Sequence, residues 1–200
     1  GHLLTGLEPQ CVPKNLGNTV FTFTYNNFEE LQALVDEHEV GVICMEVARN
    51  TEPEDGFLHK VRELATRRNI VLIFDECTSG FRETFGGLHL KYGVEPDVAI
   101  FGKALGNGYA ITASIGRKEI MEVAQMTFIS STFWTERIGP TAALKTLDIM
   151  ERDKSWESIT KVGEDIRGRW QQLANKYSLE LSHSGLKALT SFNFKSNQSM

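Results

Sequence analysis

The sequence predicts an α/β fold built around a mostly parallel sheet, and two observations support this class. First, two short runs of β-branched and aromatic residues, at positions 70–74 and 98–101, lack the alternation of a half-exposed strand. Continuous apolar runs of this kind are typical of parallel strands that are covered on both faces. Second, segments with helical spacing lie between and around these runs. They supply the helices that would cover the sheet.

A charged residue follows each of the two runs. Asp75 comes directly after the first run, and Lys103 comes two residues after the second. Ligands of open α/β sheets bind beyond the carboxyl ends of the strands. If the two strands are parallel, an acid and an amine therefore reach the same edge of one sheet, where a small-molecule site is expected.

The first quarter of the chain predicts a loop, a strand and a helix. Residues 1–18 are rich in Gly, Pro and polar residues and give no period, so we expect a loop. Residues 20–25 alternate as V-F-T-F-T-Y, which predicts a strand with one exposed face. Asn27 is the predicted N-cap of a helix, with Glu30 in the capping-box position and the helix end near His38.

A strand–helix–strand unit is predicted next. Residues 40–47 form an apolar run, which indicates a buried strand that ends at Glu46 and contains a buried, inert Cys44. Asp55 is the predicted N-cap of a helix that continues to Arg68. A unit of this order predicts a right-handed crossover between parallel strands.

The segment around the two charged residues contains several turn signals. Residues 78–87 hold four possible breakers and predict an irregular loop, followed by a short helix at 88–92. The G-N-G at 106–108 permits positive φ and predicts a tight reversal behind Lys103. Residues 111–115 should form the returning strand.

The C-terminal third predicts helices and then two strands. Residues 118–125 should be helical, 126–134 extended or loop, and 179–181 and 188–194 strands. Two longer helices lie between, the first from Gly139 to about Arg152. Their predicted core-facing residues are Ala143, Leu144, Leu147 and Met150 in the first helix, and Ile159, Val162, Ile166, Trp170 and Leu173 in the second.

Composition restricts the classes of partner. The hydrophobic share is 41% and the charged share 24%, which is ordinary for a soluble globular protein. The net charge of −5 gives no basic surface for nucleic acid, and no apolar run is long enough to cross a membrane. Three cysteines without a C-x-x-C pair favour a reduced, cytoplasmic setting. No metal site is predicted, because the histidines lack ligand spacing: His2, His38, His59, His89 and His183.

Each candidate site residue has a functional and a structural interpretation. A lysine amine is nucleophilic only when unprotonated, and partial burial disfavours the ammonium form, so Lys103 could form an imine or be a solvated surface charge. Asp75 could pair with a cationic ring nitrogen, or it could cap the following turn or pair with Arg82. Glu46 could contact a cofactor or substrate, or be a satisfied carboxylate at a strand end.

Three motifs resemble one family. The string D-E-C-T-S-G-F-R at 75–82, the G-K at 102–103 and the S-S-T at 130–132 look like the class III pyridoxal-phosphate (PLP) aminotransferases, and most like the glutamate-1-semialdehyde aminomutase-like branch. The resemblance implies the PLP-dependent transferase fold type I in a fragment of a longer chain. Residues 1–152 would be the second half of the large domain, and 153–200 the connecting helix and the start of the small C-terminal domain.

The resemblance also implies roles for five residues. Lys103 would form the Schiff base with PLP and, once released, move the substrate proton. Asp75 would bind the pyridinium nitrogen, and Cys77, where Val is usual, would pack on one face of the ring. Thr132, with Ser131 beside it, would reach the cofactor phosphate across a homodimer interface.

The implied activity is transfer of an amino group between an amino compound and an aldehyde or ketone. The alternatives are glutamate-1-semialdehyde 2,1-aminomutase, a Schiff-base lyase or aldolase without a cofactor, and a non-catalytic scaffold of the same fold. The sequence departs from the family at Val47, where Pro is usual, and at F-W-T-E-R-I-G-P after Thr132. Because the family's phosphate loop has no counterpart here, we expect these 200 residues alone to bind PLP weakly and to be inactive.

Overall fold

The computed structural model describes Pro13, Leu16 and residues 19–194, so most of the predicted loop at 1–18 lies outside the described residues. The helices and strands, in chain order, are α1 (Phe28–Glu37), β1 (Val42–Met45), α2 (Phe57–Arg68), β2 (Val71–Asp75), α3 (His89–Tyr92), β3 (Val98–Phe101), β4 (Ala113–Gly116), α4 (Lys118–Met121), α5 (Ile138–Asp153), α6 (Ser155–Lys176), β5 (Leu181–Ser184) and β6 (Ser191–Phe194). Short 3₁₀ turns lie at Lys103–Leu105, Glu122–Met126 and Lys187–Leu189.

Four strands form one mixed sheet in the order β1-β2-β3-β4. β1, β2 and β3 run parallel, and β4 returns antiparallel to β3. This confirms the predicted parallel pairing of the two apolar runs and the reversal that follows Lys103. A second sheet is the antiparallel hairpin of β5 and β6, which starts a few residues later than predicted in each strand.

The first two helices begin and end through local contacts. The Asn27 side chain accepts a hydrogen bond from the Glu30 amide at 3.1 Å, which confirms the predicted N-cap of α1. The Glu30 carboxylate accepts from the Thr24 amide instead of closing a capping box on Asn27. For α2 the predicted cap is wrong: the N-cap is Gly56, at φ 70°, and Asp55 precedes it in the turn.

The main core lies between the sheet and helices α1 and α2. Leu72 and Phe74 of β2 are fully buried, as are several residues of α2. The opposite face of β1 is exposed at Val42 and Cys44, so the predictions of a fully buried strand and a buried Cys44 are wrong. The described residues provide no layer that covers that side of β1, and an apolar run does not by itself specify its cover.

The predicted strand at residues 20–25 is also wrong. The described backbone there forms no strand and turns at Tyr25 and Asn26. A strand needs a partner, and among the described residues β1 pairs only with β2. The segment is instead held by the bond from the Thr24 amide to Glu30 and by the Tyr25 hydroxyl, which donates to the Val47 carbonyl.

Helices α5 and α6 bury their small residues. Ala143 of α5 is buried as predicted, whereas Leu144 is 66% exposed. In α6, Gly163 lies so close to the Lys187 carbonyl oxygen that an added Cβ would be 1.8 Å from it. Close backbone contact at small residues therefore determines which face of each helix packs against the rest of the chain. Three residues of the predicted core-facing stripe of α6 are exposed instead: Val162, Ile166 and Leu173.

The C-terminal hairpin is joined to the rest of the chain by a carboxylate. Glu83, in the loop after β2, accepts hydrogen bonds from the backbone amides of Lys187 at 2.6 Å and Ala188 at 3.4 Å. Leu186 is buried in the main core. Among the described helices, none is long and apolar enough to cross a membrane.

Candidate active site

The carboxyl ends of three neighbouring strands bring together the charged residues that the sequence singled out. Asp75 ends β2 and lies in register with Ile100 of β3, three residues before Lys103. Glu46 directly follows β1, whose last residue, Met45, is in register with Phe74. The structure therefore places Glu46, Asp75 and Lys103 at one edge of the sheet, as expected from parallel strands.

Asp75 organises the turn that follows its strand. Its Oδ1 accepts a hydrogen bond from the Cys77 amide at 3.0 Å. The turn-capping interpretation is thus observed, whereas no ion pair joins Asp75 to Arg82 or Lys103 within residues 19–194. The carboxylate is half-buried and forms no ion pair with any described residue, which leaves it available to a cationic ligand.

Lys103 follows an extended glycine and begins the 3₁₀ turn Lys103–Leu105 in an unusual backbone conformation. Its φ is 43°, in the left-handed region that side chains other than glycine rarely adopt. The amine donates a hydrogen bond to the Thr78 hydroxyl at 2.7 Å. Thr78 was not among the predicted site residues, although its place three residues after Asp75 was a signal that could have suggested it.

Cys77 lies against the backbone that carries Lys103. A Cβ added to Gly102 would be 3.0 Å from the Cys77 sulfur and 3.4 Å from a methyl carbon of Thr112. Partial burial and the neighbouring Asp75 carboxylate raise the pKa of the Cys77 thiol, so the sulfur is a neutral, apolar group at this position. The absence of a side chain at Gly102 permits this close approach.

A fully buried acid fixes the loop behind the turn. Glu76 accepts hydrogen bonds from the His89 amide and the His89 ring nitrogen Nδ1, both at 2.9 Å, and from the Ser79 hydroxyl. Burial alone would raise the pKa of Glu76, but the hydrogen bonds from His89 and Ser79 outweigh it and hold the pKa below its usual value. Sequence reasoning missed this cluster because His89 lies 13 positions away along an irregular loop.

Glu46 has one oxygen without a protein partner. Its Oε1 accepts from the Arg49 guanidinium at 3.2 Å, while Oε2 is buried and receives no hydrogen bond from the described residues. Unpaired buried carboxylate oxygens are costly and are often completed by a ligand. Among the described residues, the Glu46 carboxylate is thus paired at one oxygen only.

A cavity of about 1170 Å³ opens beside Lys103, between the loops after β2 and β3 and one face of α5. The predicted phosphate-binding residues Ser131 and Thr132 do not line it, and both are exposed. The Ser131 hydroxyl accepts from the Phe133 amide at 3.1 Å. No contact among the described residues joins either of them to Asp75, Cys77 or Lys103.

Comparison with solved structures shows the fold. An omega-transaminase from Sphaerobacter thermophilus superposes with a TM-score of 0.86 at 21% identity, over 94% of this chain and 45% of that one. The FumI protein of Sphingopyxis sp. MTA144, solved with PLP, gives a TM-score of 0.84 at 23% identity, over 89% and 45% of the two chains. The chain therefore has part of the fold of the PLP-dependent transaminases, which confirms the predicted fold class.

Comparison of sequences shows the family. The 3-aminobutyryl-CoA aminotransferase of Cloacimonas acidaminovorans (strain Evry) is 34% identical over an alignment of 196 residues that covers 94% of this chain and 47% of the relative. The chain thus spans about half the length of this relative. The model of the family "Aminotransferase class-III" matches residues 24–200. On this match, the chain belongs to the class III aminotransferases, a family whose cofactor is pyridoxal phosphate.

Proposed function

We propose that this chain carries the catalytic lysine of an aminotransferase that moves an amino group between an amino compound and an aldehyde or ketone. One observation carries the proposal: the Lys103 amine and the Asp75 carboxylate lie at the same sheet edge without pairing with each other. Lys103 binds a hydroxyl instead, so a cofactor ring could engage both groups at once. An ion pair between Lys103 and Asp75 would instead have occupied both groups and left neither available to the cofactor.

The residues present fit pyridoxal phosphate. Asp75 forms no ion pair among the described residues and can bind a protonated ring nitrogen, while the neutral Cys77 sulfur offers an apolar contact for a ring face. The unpartnered Glu46 oxygen lies at the same edge and can accept a hydrogen bond from a bound group. In this proposal Ser131 and Thr132 bind the cofactor phosphate of a second subunit.

Lys103 supplies two functions in sequence. When bound, pyridoxal phosphate provides a carbonyl carbon for amines and a ring that accepts electrons. With the cofactor bound, the Lys103 amine would hold it covalently and, when free, would serve as the general base that moves the substrate proton. Asp75 would bind the ring nitrogen in its protonated form, and Thr78 would orient the free amine through the hydroxyl that accepts its hydrogen bond.

The homodimer is part of this proposal. Residues 126–138 expose several large apolar side chains, and the Phe128 ring is 96% exposed. Exposed apolar patches of this extent mark protein interfaces. Other exposed members of the same segment are Met126, Ile129, Phe133, Trp134 and Ile138. They flank Thr132, whose proposed role needs a second subunit.

The domain division also remains a proposal. We assign residues 1–152 to the large PLP-binding domain, and residues 153–200 to a connecting helix and the start of a small domain. The separate sheet of β5 and β6 after the long helix α6 supports this division. A cytoplasmic location is proposed from the free thiols of Cys44 and Cys77.

The proposed activity is tested with the full polypeptide that carries these residues. After loading with pyridoxal phosphate, an amino donor should convert the cofactor to its amine form, and a keto acceptor should restore it. Turnover without any external acceptor would instead support the aminomutase, and no conversion by any donor would support a scaffold. We expect the 200 residues alone to bind the cofactor weakly; affinity equal to that of the longer polypeptide would contradict this.

A further inference from the structure

We propose that the cavity beside Lys103 binds the phosphate-bearing part of the substrate, and that Arg82, Arg137 and Lys145 hold its negative charge. This inference rests on the proposed function, because it assumes that the reacting end of the substrate reaches Lys103. It adds a substrate class, an organic phosphate with an apolar segment.

The charge of the cavity is one-sided. Arg82, Lys103, Arg137 and Lys145 line it, and no Asp or Glu does, although the chain as a whole has a net charge of −5. Cavities lined by one sign of charge concentrate ligands of the opposite sign. The local excess of positive charge therefore favours an anion.

Within the described part of the chain, no carboxylate pairs with Arg82, Arg137 or Lys145. The side chains of Arg137 and Lys145 form no hydrogen bond or ion pair there, and Arg82 donates only from Nε, to the Thr78 carbonyl at 3.4 Å. The acid next to Arg137 is already used: Glu136 accepts hydrogen bonds from the Ile138 and Gly139 amides at the start of α5. An anionic ligand would meet these cations without displacing a carboxylate.

One face of α5 builds the cavity wall. Thr141, Lys145 and Ile149 recur every four residues and line it, whereas the acidic Asp148 and Glu151 of the same helix do not. Positions four apart lie on the same side of a helix. The helix thus presents its amine and hydroxyls to the cavity and directs its carboxylates elsewhere.

Size and lining indicate more than a small inorganic anion. The volume of about 1170 Å³ exceeds the roughly 300–1,000 Å³ of ordinary ligand pockets. Guanidinium groups match phosphate oxygens with paired hydrogen bonds, and the Ser155 hydroxyl in the wall is buried without a partner among the described residues. The remaining wall is largely apolar and suits an organic segment: Phe81, Ile138, Ile149, Met150 and Ile159.

The test is calorimetric titration of the full polypeptide that carries these residues with phenyl phosphate, with inorganic phosphate for comparison. We expect phenyl phosphate to bind more tightly than inorganic phosphate, with an affinity that falls as salt is added. Arg137→Gln and Lys145→Gln should each weaken binding roughly fivefold to tenfold, as expected for loss of one charge-assisted contact. Lys161→Gln removes an exposed charge of α6 outside the cavity and should change nothing.

Two results would overturn the proposal: no binding of phenyl phosphate by the folded chain, or equal weakening by Lys161→Gln and Lys145→Gln. Circular dichroism of each variant shows that the fold is kept. The titration requires no amino transfer, so its failure leaves the aminotransferase proposal intact. Conversely, failure to label Lys103 with pyridoxal phosphate would remove that proposal while the phosphate site could still be measured.

Discussion

The amine of Lys103 lies 2.7 Å from the hydroxyl oxygen of Thr78. The turn that places Thr78 starts at Asp75 and is closed by the bond from the Cys77 amide to the Asp75 carboxylate. The same four-residue segment therefore carries the proposed ring-nitrogen partner and the hydrogen-bond partner of the proposed imine lysine. Changes in this segment should act on catalysis through the orientation of Lys103.

Thr78→Val removes the hydroxyl while nearly keeping the shape of the side chain. In the full polypeptide loaded with cofactor, we expect the reaction with an amino donor to slow about fivefold, the loss of one hydrogen bond to the amine. Thr78→Ser keeps the hydroxyl and should retain most of the rate. Stopped-flow absorbance measures both variants, and equal rates for Val and Ser would show that the hydroxyl does not position Lys103.

Gly102→Ala should crowd Cys77. The added methyl would lie 3.0 Å from the sulfur, so we expect a loss of about 1–2 kcal/mol in unfolding free energy, measured by urea denaturation. Cys77→Ala in the same chain should relieve much of that cost. Gly168→Ala, in the interior of α6 with open space around it, should instead stabilise by about 0.5–1 kcal/mol. If Gly102→Ala lowers the unfolding free energy equally in the wild-type and the Cys77→Ala chains, the contact with the sulfur is not the cause of the loss.

Stability should depend on acid through Glu76. Its pKa in the folded chain is lowered, so its contribution is present above the unfolded value of about 4.3 and is lost as the pH falls towards the folded value. Glu76→Gln should lower the free energy of unfolding by about 2 kcal/mol at pH 7. It should also make the free energy of unfolding depend less steeply on pH below pH ~5. Urea unfolding across that range measures both effects. Exposed Glu151→Gln is the control, and an acid slope identical to wild type in Glu76→Gln would contradict the account.

The sequence predicted which residues meet at the sheet edge, but not how they pair. The two continuous apolar runs, with helical segments around them, predict neighbouring parallel strands. Because parallel strands end at the same edge of the sheet, Asp75 and Lys103 lie at adjacent strand ends. The partner of Lys103 depends on the geometry of an irregular loop, which Glu76 fixes through a distant His89. Contacts between side chains that are far apart in an unpatterned loop leave no periodic signal.

Glu83→Ala should loosen the C-terminal hairpin. The change removes the acceptor of the Lys187 and Ala188 amides, so we expect faster hydrogen exchange at these two amides and a loss of about 2 kcal/mol. Exchange in α2 should be unaffected. Glu180→Ala, an exposed acid close to β5 in the chain, is the matched control. Unchanged exchange at both amides in Glu83→Ala would contradict the role of this carboxylate.

The incorrect predictions share a physical cause. Alternation at residues 20–25 is compatible with a strand, but a strand forms only when it pairs, and within the described residues this segment pairs with no strand of either sheet. In α5 the spacing admits several inward faces, and the close contact of small residues selected Ala143 over Leu144. Local pattern therefore predicted the type of most elements, whereas tertiary partners decided which faces are covered.

The proposed Schiff base at Lys103 is tested directly by one measurement. The full polypeptide is incubated with pyridoxal phosphate, reduced with borohydride and digested, and the labelled peptide is identified by mass spectrometry. We expect a label on Lys103 that disappears when an amino donor is added before reduction, and no comparable label on Lys145. A folded protein without a label on Lys103, or with a label that an amino donor leaves in place, would contradict the account.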